Sequence, residues 1–411
     1  MRSIKRSAAM RNCTGVIAEY NPFHNGHRYQ LLEARRATGC EHVVVVMSGS
    51  FVQRGEVAMF DKFSRASWAL QSGADMVLQL PAVYACAAAE RFAEGAVRVL
   101  NGTGLVDALC FGSESGDIAE IKKMAALGSK ESDSHKEMLL KHLKQGMSFP
   151  SARNKAFAEQ HGGRLASAVS LPNDILAVEY LRAIEKFAPN IVPYAVKRVG
   201  VSHDAKQADG AFASASALRR SALNGDMDAL FPYLPDSVFA DIKRQIVDGA
   251  APYAQERLSD AVLYALRRMT KEELKRLPDV NEGLENVLYR CVREASGYGE
   301  LLSLMKTKRY TLARLKRVLV YALLGVESDI YQTSLPYIRV LGVRRDSVSL
   351  LNALGKSASL PVVTRFSDTT GLPEGAKKLH AVDMRAADIA PLARMCFKSV
   401  TFDYAAPLLI V

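Results

Sequence analysis

The chain has 411 residues, 49% of them hydrophobic and 24% charged, which excludes a largely disordered chain, a collagen-like chain and a disulfide-stapled miniprotein. That length suggests two or three domains. Lysine and arginine number 54 against 43 aspartates and glutamates, and the net charge of +11 favours a polyanionic partner, most simply nucleic acid.

Residues 1–11 carry Arg2, Lys5, Arg6 and Arg11 with no apolar run behind them, so they read as a basic extension rather than a secretory signal, with Met10 near an alternative start. Val16–Ala18 is a short apolar run leading into a turn at Asn21-Pro22, and a helix is expected over 26–37. Val43–Met47 is β-branched without polar alternation, as a strand buried on both faces reads. A helix over 61–72 follows, then a strand over 75–80 stopped by Pro81, an Ala-rich helix over 87–100, and a fourth strand over 108–111 ending at Gly112. This alternation argues for an α/β fold with a doubly wound parallel sheet. Residues 117–165 read as a polar helical insertion. Beyond it come a helix over 173–184, a strand over 191–199 and a helix over 212–223. Strand signals then fade. The expected division is an α/β domain over 12–224, a helical domain over 225–330, and a mixed C-terminal region over 331–411 with β-like runs at 337–343, 360–364 and 408–411.

Six cysteines, Cys13, Cys40, Cys86, Cys110, Cys291 and Cys396, are scattered without a CxxC pair or zinc spacing, as free thiols in a reducing cytoplasm are. No stretch reaches the ~18–20 apolar residues of a transmembrane helix, so no membrane partner is expected.

The chemistry concentrates in Ile17-Ala18-Glu19-Tyr20-Asn21-Pro22-Phe23-His24-Asn25-Gly26-His27, a His-x-Gly-His string between a strand and a helix. Backbone N–H groups at a helix N-terminus form an anion site, and Gly26 lets a nucleotide approach the backbone closely. His24 and His27, three apart on a first turn, converge on one point and can donate to phosphate oxygens as charge builds. Two histidines near a turn are also what an ordinary surface carries; the strand before and the helix after are what favour the nucleotide site.

That motif is the signature of the nucleotidylyltransferase superfamily, and the longer string from Glu19 to His27 resembles the bacterial tRNA(Met) cytidine acetate ligase family. The blocks Ser48–Glu56, Phe60–Arg65, Phe111–Glu114, Pro172–Leu176, Val196–Gly200 and Thr307–Tyr310 are similar to the same family in the same order. The resemblance implies a nucleotidylyltransferase, Rossmann-like fold and a two-step ligase. Acetate is activated by ATP to acetyl-adenylate; since no carboxylate or Cys/His cluster has ligand spacing, Mg²⁺ is expected to arrive with the ATP and no tightly bound protein metal is expected. The acetyl group then passes to the N4 amine of the wobble cytidine of elongator tRNA(Met). It implies ATP contacts from Ile17 through Gln30, that is Ile17 to His27 with Arg28, Tyr29 and Gln30, together with Gly112, Asn173 and Arg198. Gly112 ends a strand, Asn173 offers both a donor and an acceptor, and Arg198 is a permanent cation. Taken singly they read as a turn glycine, a helix N-cap and a surface arginine.

Ser214, Ser216 and Arg219 match, weakly, a late helix start that contacts phosphate in this superfamily. Arg54, Lys62 and Arg65 are further candidates for phosphate or substrate contact. Residues 301–320 hold Lys306, Lys308, Arg309, Arg314, Lys316 and Arg317 with no acid among them, and Leu312, Leu315, Leu319 and Val320 fall at helical spacing. Lys306, Lys308, Arg309, Arg314 and Arg317 are therefore expected on a tRNA-binding face; a solvated face paired with acids from elsewhere is the plainer alternative. Two other functions stay open on the residues alone: a small-molecule adenylyltransferase using the same site, and a catalytically idle RNA-binding protein.

Overall fold

The computed structural model describes residues 12–129, 133–147, 152, 155–156, 159, 171–198, 213–333, 336–394 and 403–411. The basic extension, part of the insertion, Val199 and Gly200, and Cys396 lie outside them.

Strands β1 (Cys13–Ala18), β2 (His42–Ser48), β5 (Met76–Leu80), β6 (Val106–Ser113) and β7 (Val192–Lys197) form one parallel sheet in the order β5-β2-β1-β6-β7. The unbroken valine run of β2 behaves as its composition requires. Val44 and Val46 face one core while Val43, Val45 and Met47 face another, and all five are fully buried. The crossover helices α1 (Asn25–Thr38), α2 (Lys62–Gln71), α3 (Ala82–Ala85), α4 (Ala89–Gly102), α5 (Ile118–Ser129), α6 (Asp133–Lys144) and α7 (Pro172–Phe187) follow the expected alternation. Asp61 starts α2 by accepting from the N–H groups of Phe63 and Ser64. Strand order reverses direction between β1 and β6. Loops leaving those two strands flank a crevice at the carboxyl edge, the standard ligand position in such sheets.

Two features depart from the sequence reading. A small hairpin, β3 (Phe51–Val52) with β4 (Glu56–Val57), turns at Gly55, whose φ is +77°. The sheet is also mixed rather than wholly parallel. Strand β8 (Ile338–Val343) pairs antiparallel with β5, while β9 (Val362–Val363) and β10 (Leu409–Ile410) pair parallel with β8. Chain from 338 onward thus completes the edge of the first sheet.

Between them lie α8 (Ala215–Leu223), α9 (Asp236–Val247), α10 (Ser259–Arg267), α11 (Lys271–Arg276), α12 (Leu284–Glu294), α13 (Tyr298–Met305), α14 (Leu312–Leu324) and α15 (Ile330–Thr333). Helices α16 (Ser349–Ser357) and α17 (Glu374–Ile389) follow β8. Among the described residues no helix is long and apolar enough to cross a membrane. The five described cysteines are buried and unbridged.

Candidate active site

Helix α1 begins at the carboxyl end of β1, and its first turn is closed by the two histidines themselves. His24 is the N-cap, and its Nδ1 accepts from the Gly26 N–H at 3.1 Å. His27 Nδ1 accepts from the His24 N–H at 3.3 Å. The rings stack with centroids 3.7 Å apart and planes inclined by 24°. Each Nδ1 is an acceptor, so the neutral ring carries its proton on Nε2. Burial, and then the charge of Arg198, push His24 down to about 3. Burial, His24 and Arg198 hold His27 well below its usual value. The site therefore offers a pair of neutral Nε2–H donors. This differs from the anion cradle the sequence suggests: the Gly26 and His24 N–H groups are occupied by imidazole, and the rings carry the donor function outward.

The loop before α1 is clamped from several elements. Asn21 Oδ1 accepts from the Met59 N–H at 2.8 Å, and its carbonyl accepts from Arg219 Nη1 at 2.9 Å. Asn25 Nδ2 donates to Pro232 O at 3.2 Å. Glu19 Oε1 accepts from the Gln53 N–H of the β3–β4 turn at 2.7 Å. Ile17, Tyr20, Pro22 and Phe23 are buried beneath the site, and Tyr20 sits edge-on to His27 with centroids 4.9 Å apart. Ala18, Tyr29 and Gln30 are half-buried and Arg28 is exposed.

Gly112, Asn173 and Arg198, distant in sequence, converge here. The Arg198 side chain lies over Gly112, where a Cβ would come 3.4 Å from its Cγ. Arg198 Nη1 donates to Asn173 Oδ1 at 3.1 Å. Asn173 Nδ2 donates to Glu114, whose carboxylate also accepts the Asp174 N–H at 3.1 Å and so caps α7. Sequence reasoning passed over Glu114 and Asp174 as site residues. Asp174 is fully buried and accepts from Ser113 Oγ and the Glu114 N–H. Both stood within the Phe111–Glu114 and Pro172–Leu176 blocks, and only the folded chain, which sets the start of α7 against the end of β6, reveals that they meet.

Other candidates are corrected by the structure. Arg65 is fully buried and donates to Phe60 O at 3.0 Å, Glu19 O at 2.7 Å, Ser48 O at 2.9 Å and Gly49 O. Lys62 is buried, donating to Gln79 Oε1 at 2.8 Å and to Asp403. Their donors are engaged inside the protein and shielded from solvent, not presented to a phosphate. Arg54 is exposed on the hairpin, and its charge acts on Glu19. Ser214 caps α8, accepting from the Ala217 N–H at 3.2 Å.

On the expected tRNA face, Lys306, Lys308 and Arg309 are exposed, but Arg314 and Arg317 turn inward. Arg314 pairs with Glu282 at 3.1 Å, and Arg317, buried, pairs with Asp279 at 3.0 Å. Acids of the 279–282 turn neutralise them, a pairing invisible in a window that holds no acid. Among the described residues no group of three or more His, Cys, Asp or Glu side chains could hold a metal ion.

The HIGH nucleotidyl transferase family matches residues 10–402. A tRNA(Met) cytidine acetate ligase of Caldanaerobacter subterraneus subsp. tengcongensis is 35% identical over 398 residues, 96% of this chain and 98% of that protein. The protein of the same name from Acetivibrio thermocellus is 36% identical over 403 residues, 94% and 96% respectively. The crystal structure of Thermotoga maritima TmcAL bound with α-thio ATP matches with a TM-score of 0.88 at 33% identity, covering 97% of this chain and 99% of that one.

Proposed function

The chain belongs to the tRNA(Met) cytidine acetate ligases within the HIGH nucleotidyl transferases, and from that membership we propose that it acetylates the wobble cytidine of elongator tRNA(Met) at N4, using acetate and ATP. In the first step an acetate oxygen attacks the α-phosphorus, the bond to the β-phosphate oxygen breaks, and pyrophosphate leaves. In the second, the N4 amine attacks the acetyl carbon, the bond to the adenylate oxygen breaks, AMP leaves and the amine loses a proton. ATP enters as its Mg²⁺ complex, the metal travelling with the substrate. ATP and tRNA are cytoplasmic, and so we assign the reaction to the cytoplasm.

The observation that carries this reading is the stacked, neutral His24–His27 pair at the start of α1. Its two Nε2–H donors meet the phosphate oxygens as negative charge builds, and the gain is greatest where the donors are fixed beforehand. Arg198 adds a permanent cation, held by Asn173 and lying over Gly112. The nucleophile and leaving group belong to the substrates, so this chain need supply only position and charge. We assign nucleotide chemistry to residues 12–224 and tRNA contact to 225–330, with Lys306, Lys308 and Arg309 among the contacts.

The deciding experiment incubates the protein with ATP, labelled acetate and bulk tRNA. Label should enter tRNA as N4-acetylcytidine with equimolar AMP. Transfer of label from acetyl-CoA without ATP would overturn the ligase reading, because a site built for attack on an α-phosphate has no use in thioester transfer.

A further inference from the structure

Arginines with a carboxylate within reach are common in this chain: Arg36 pairs with Glu33, Arg91 with Glu94, and Arg244 with Asp241. One face departs from that pattern. Along α10, α11 and α12 three exposed cations lie over tyrosine rings. The Arg268 guanidinium is 5.4 Å from the Tyr264 centroid. Tyr289 has Lys271 at 5.2 Å and Arg293 at 3.5 Å. Tyr264 is 64% exposed, so its ring is open to a ligand. None of the three cations forms an ion pair among the described residues. Glu273, the carboxylate on which the charge of Arg268 acts, is locked into the cap of α11, accepting from the Thr270 N–H at 2.8 Å and its hydroxyl at 2.9 Å.

The pieces belong to one surface. Arg267, at the end of α10, donates to Val292 O at 3.1 Å and Ala295 O at 2.8 Å, which welds α10 to the end of α12. Lys271 reaches from the start of α11 to Tyr289 in the middle of α12. This helical unit is also held against the nucleotide domain. Gln255 accepts from the Val57 N–H at 2.7 Å, Lys316 pairs with Glu56, and Gly55 lies directly against the Arg317 backbone.

We propose that this cation–aromatic face of α10–α12 docks the unpaired anticodon loop of the tRNA substrate. The proposal rests on the ligase reading and adds to it the surface and the form of RNA recognised. A cation over a ring keeps its charge for phosphate, while exposed tyrosine and guanidinium planes accept unpaired bases. An acidic protein patch would match the charge but leave the exposed Tyr264 ring unused, and a duplex would match the charge while hiding its bases. A single-stranded loop uses both.

The test uses the full chain and an elongator tRNA(Met) transcript, its anticodon stem-loop, and a blunt duplex of the same stem, in a potassium chloride series. The variants are Arg268→Glu/Arg293→Glu and Tyr264→Ala, each checked for an unchanged melting temperature. The double variant should bind the transcript at least ~10-fold more weakly. Its slope of log K against log salt should flatten by about 0.7 for each phosphate that is no longer neutralised. Tyr264→Ala should weaken the stem-loop about fivefold at unchanged slope and leave the duplex alone, because one base loses its stacking platform. Acetate-dependent ATP–pyrophosphate exchange should be unchanged in both. Unaltered affinity and slope in the double variant would overturn the proposal, and equal losses for duplex and stem-loop would overturn its claim on unpaired bases. A wild-type chain that performs no acetate-dependent exchange would instead sink the ligase reading itself.

Discussion

Replacing Arg65 by alanine should disable the active-site loop without removing any group that touches substrate. The guanidinium is fully buried and donates to four carbonyls. Three of the acceptors, Glu19, Ser48 and Gly49, lie just where β1 and β2 end, so one side chain ties the two loops that flank the histidines. Each buried acceptor left without a donor costs about 1–3 kcal/mol. Three such losses would sum to about 3–9 kcal/mol, but water entering the vacated space recovers part of this. The desolvation cost of the buried cation is also relieved. A net loss of about 2–4 kcal/mol follows, which a domain of ordinary stability of about 5–15 kcal/mol survives. The loop ends then relax, and a displacement of ~1 Å at a reacting centre costs about 10²-fold in rate. Acetate-dependent ATP–pyrophosphate exchange should show kcat falling by that factor, with the KM for ATP changed far less. Arg65→Lys, which keeps the charge but cannot span four carbonyls, should fall between. An alanine variant with an unchanged melting temperature and a KM for ATP raised tenfold or more would refute the clamp and return Arg65 to the substrate.

His24→Ala or His27→Ala should each lower adenylate formation by about 10²–10³, the usual loss of one preorganised donor, and near-normal exchange in both would move the site elsewhere. Both imidazoles are neutral in the folded chain, so kcat/KM should show no histidine inflection between about pH 5 and 8; one near 6.5 that His24→Ala abolishes would contradict neutral donors. Stability depends on the same neutrality. With the folded value of His24 near 3, the unfolded chain binds the extra proton below about 6.5, and the histidine's share of stability is lost as pH falls from there. Asp383, pushed up to about 6 by burial, opposes it at the acid end, so a melting series in His24→Ala isolates the histidine's part. Gly55→Ala puts a Cβ 2.4 Å from the Arg317 backbone N in a left-handed turn, and should lower the melting temperature through about 1–3 kcal/mol of strain. Arg317→Glu should destabilise by about 3–5 kcal/mol, because it sets two carboxylates together where one was paired; a stable variant defective only in tRNA binding would speak against the buried pairing.

What the sequence determined by itself is local and periodic. The valine run of β2, the His-x-Gly-His turn and the alternation of strand with helix follow from side-chain shape and hydrogen-bonding type, which act over a few residues. They were legible, and so was the parallel core of the sheet. Tertiary structure alone decided the fate of the charges. Lys62 meets Asp403, Arg317 meets Asp279 and Arg65 meets the ends of two strands. Partners that far along the chain leave no periodic trace, so a buried, satisfied arginine and an exposed, available one look alike in sequence. The same holds for the antiparallel seat of β8 beside β5 and for the meeting of Gly112, Asn173 and Arg198. Those depend on which strand edge is left open once the core has closed, and only the folded chain specifies that.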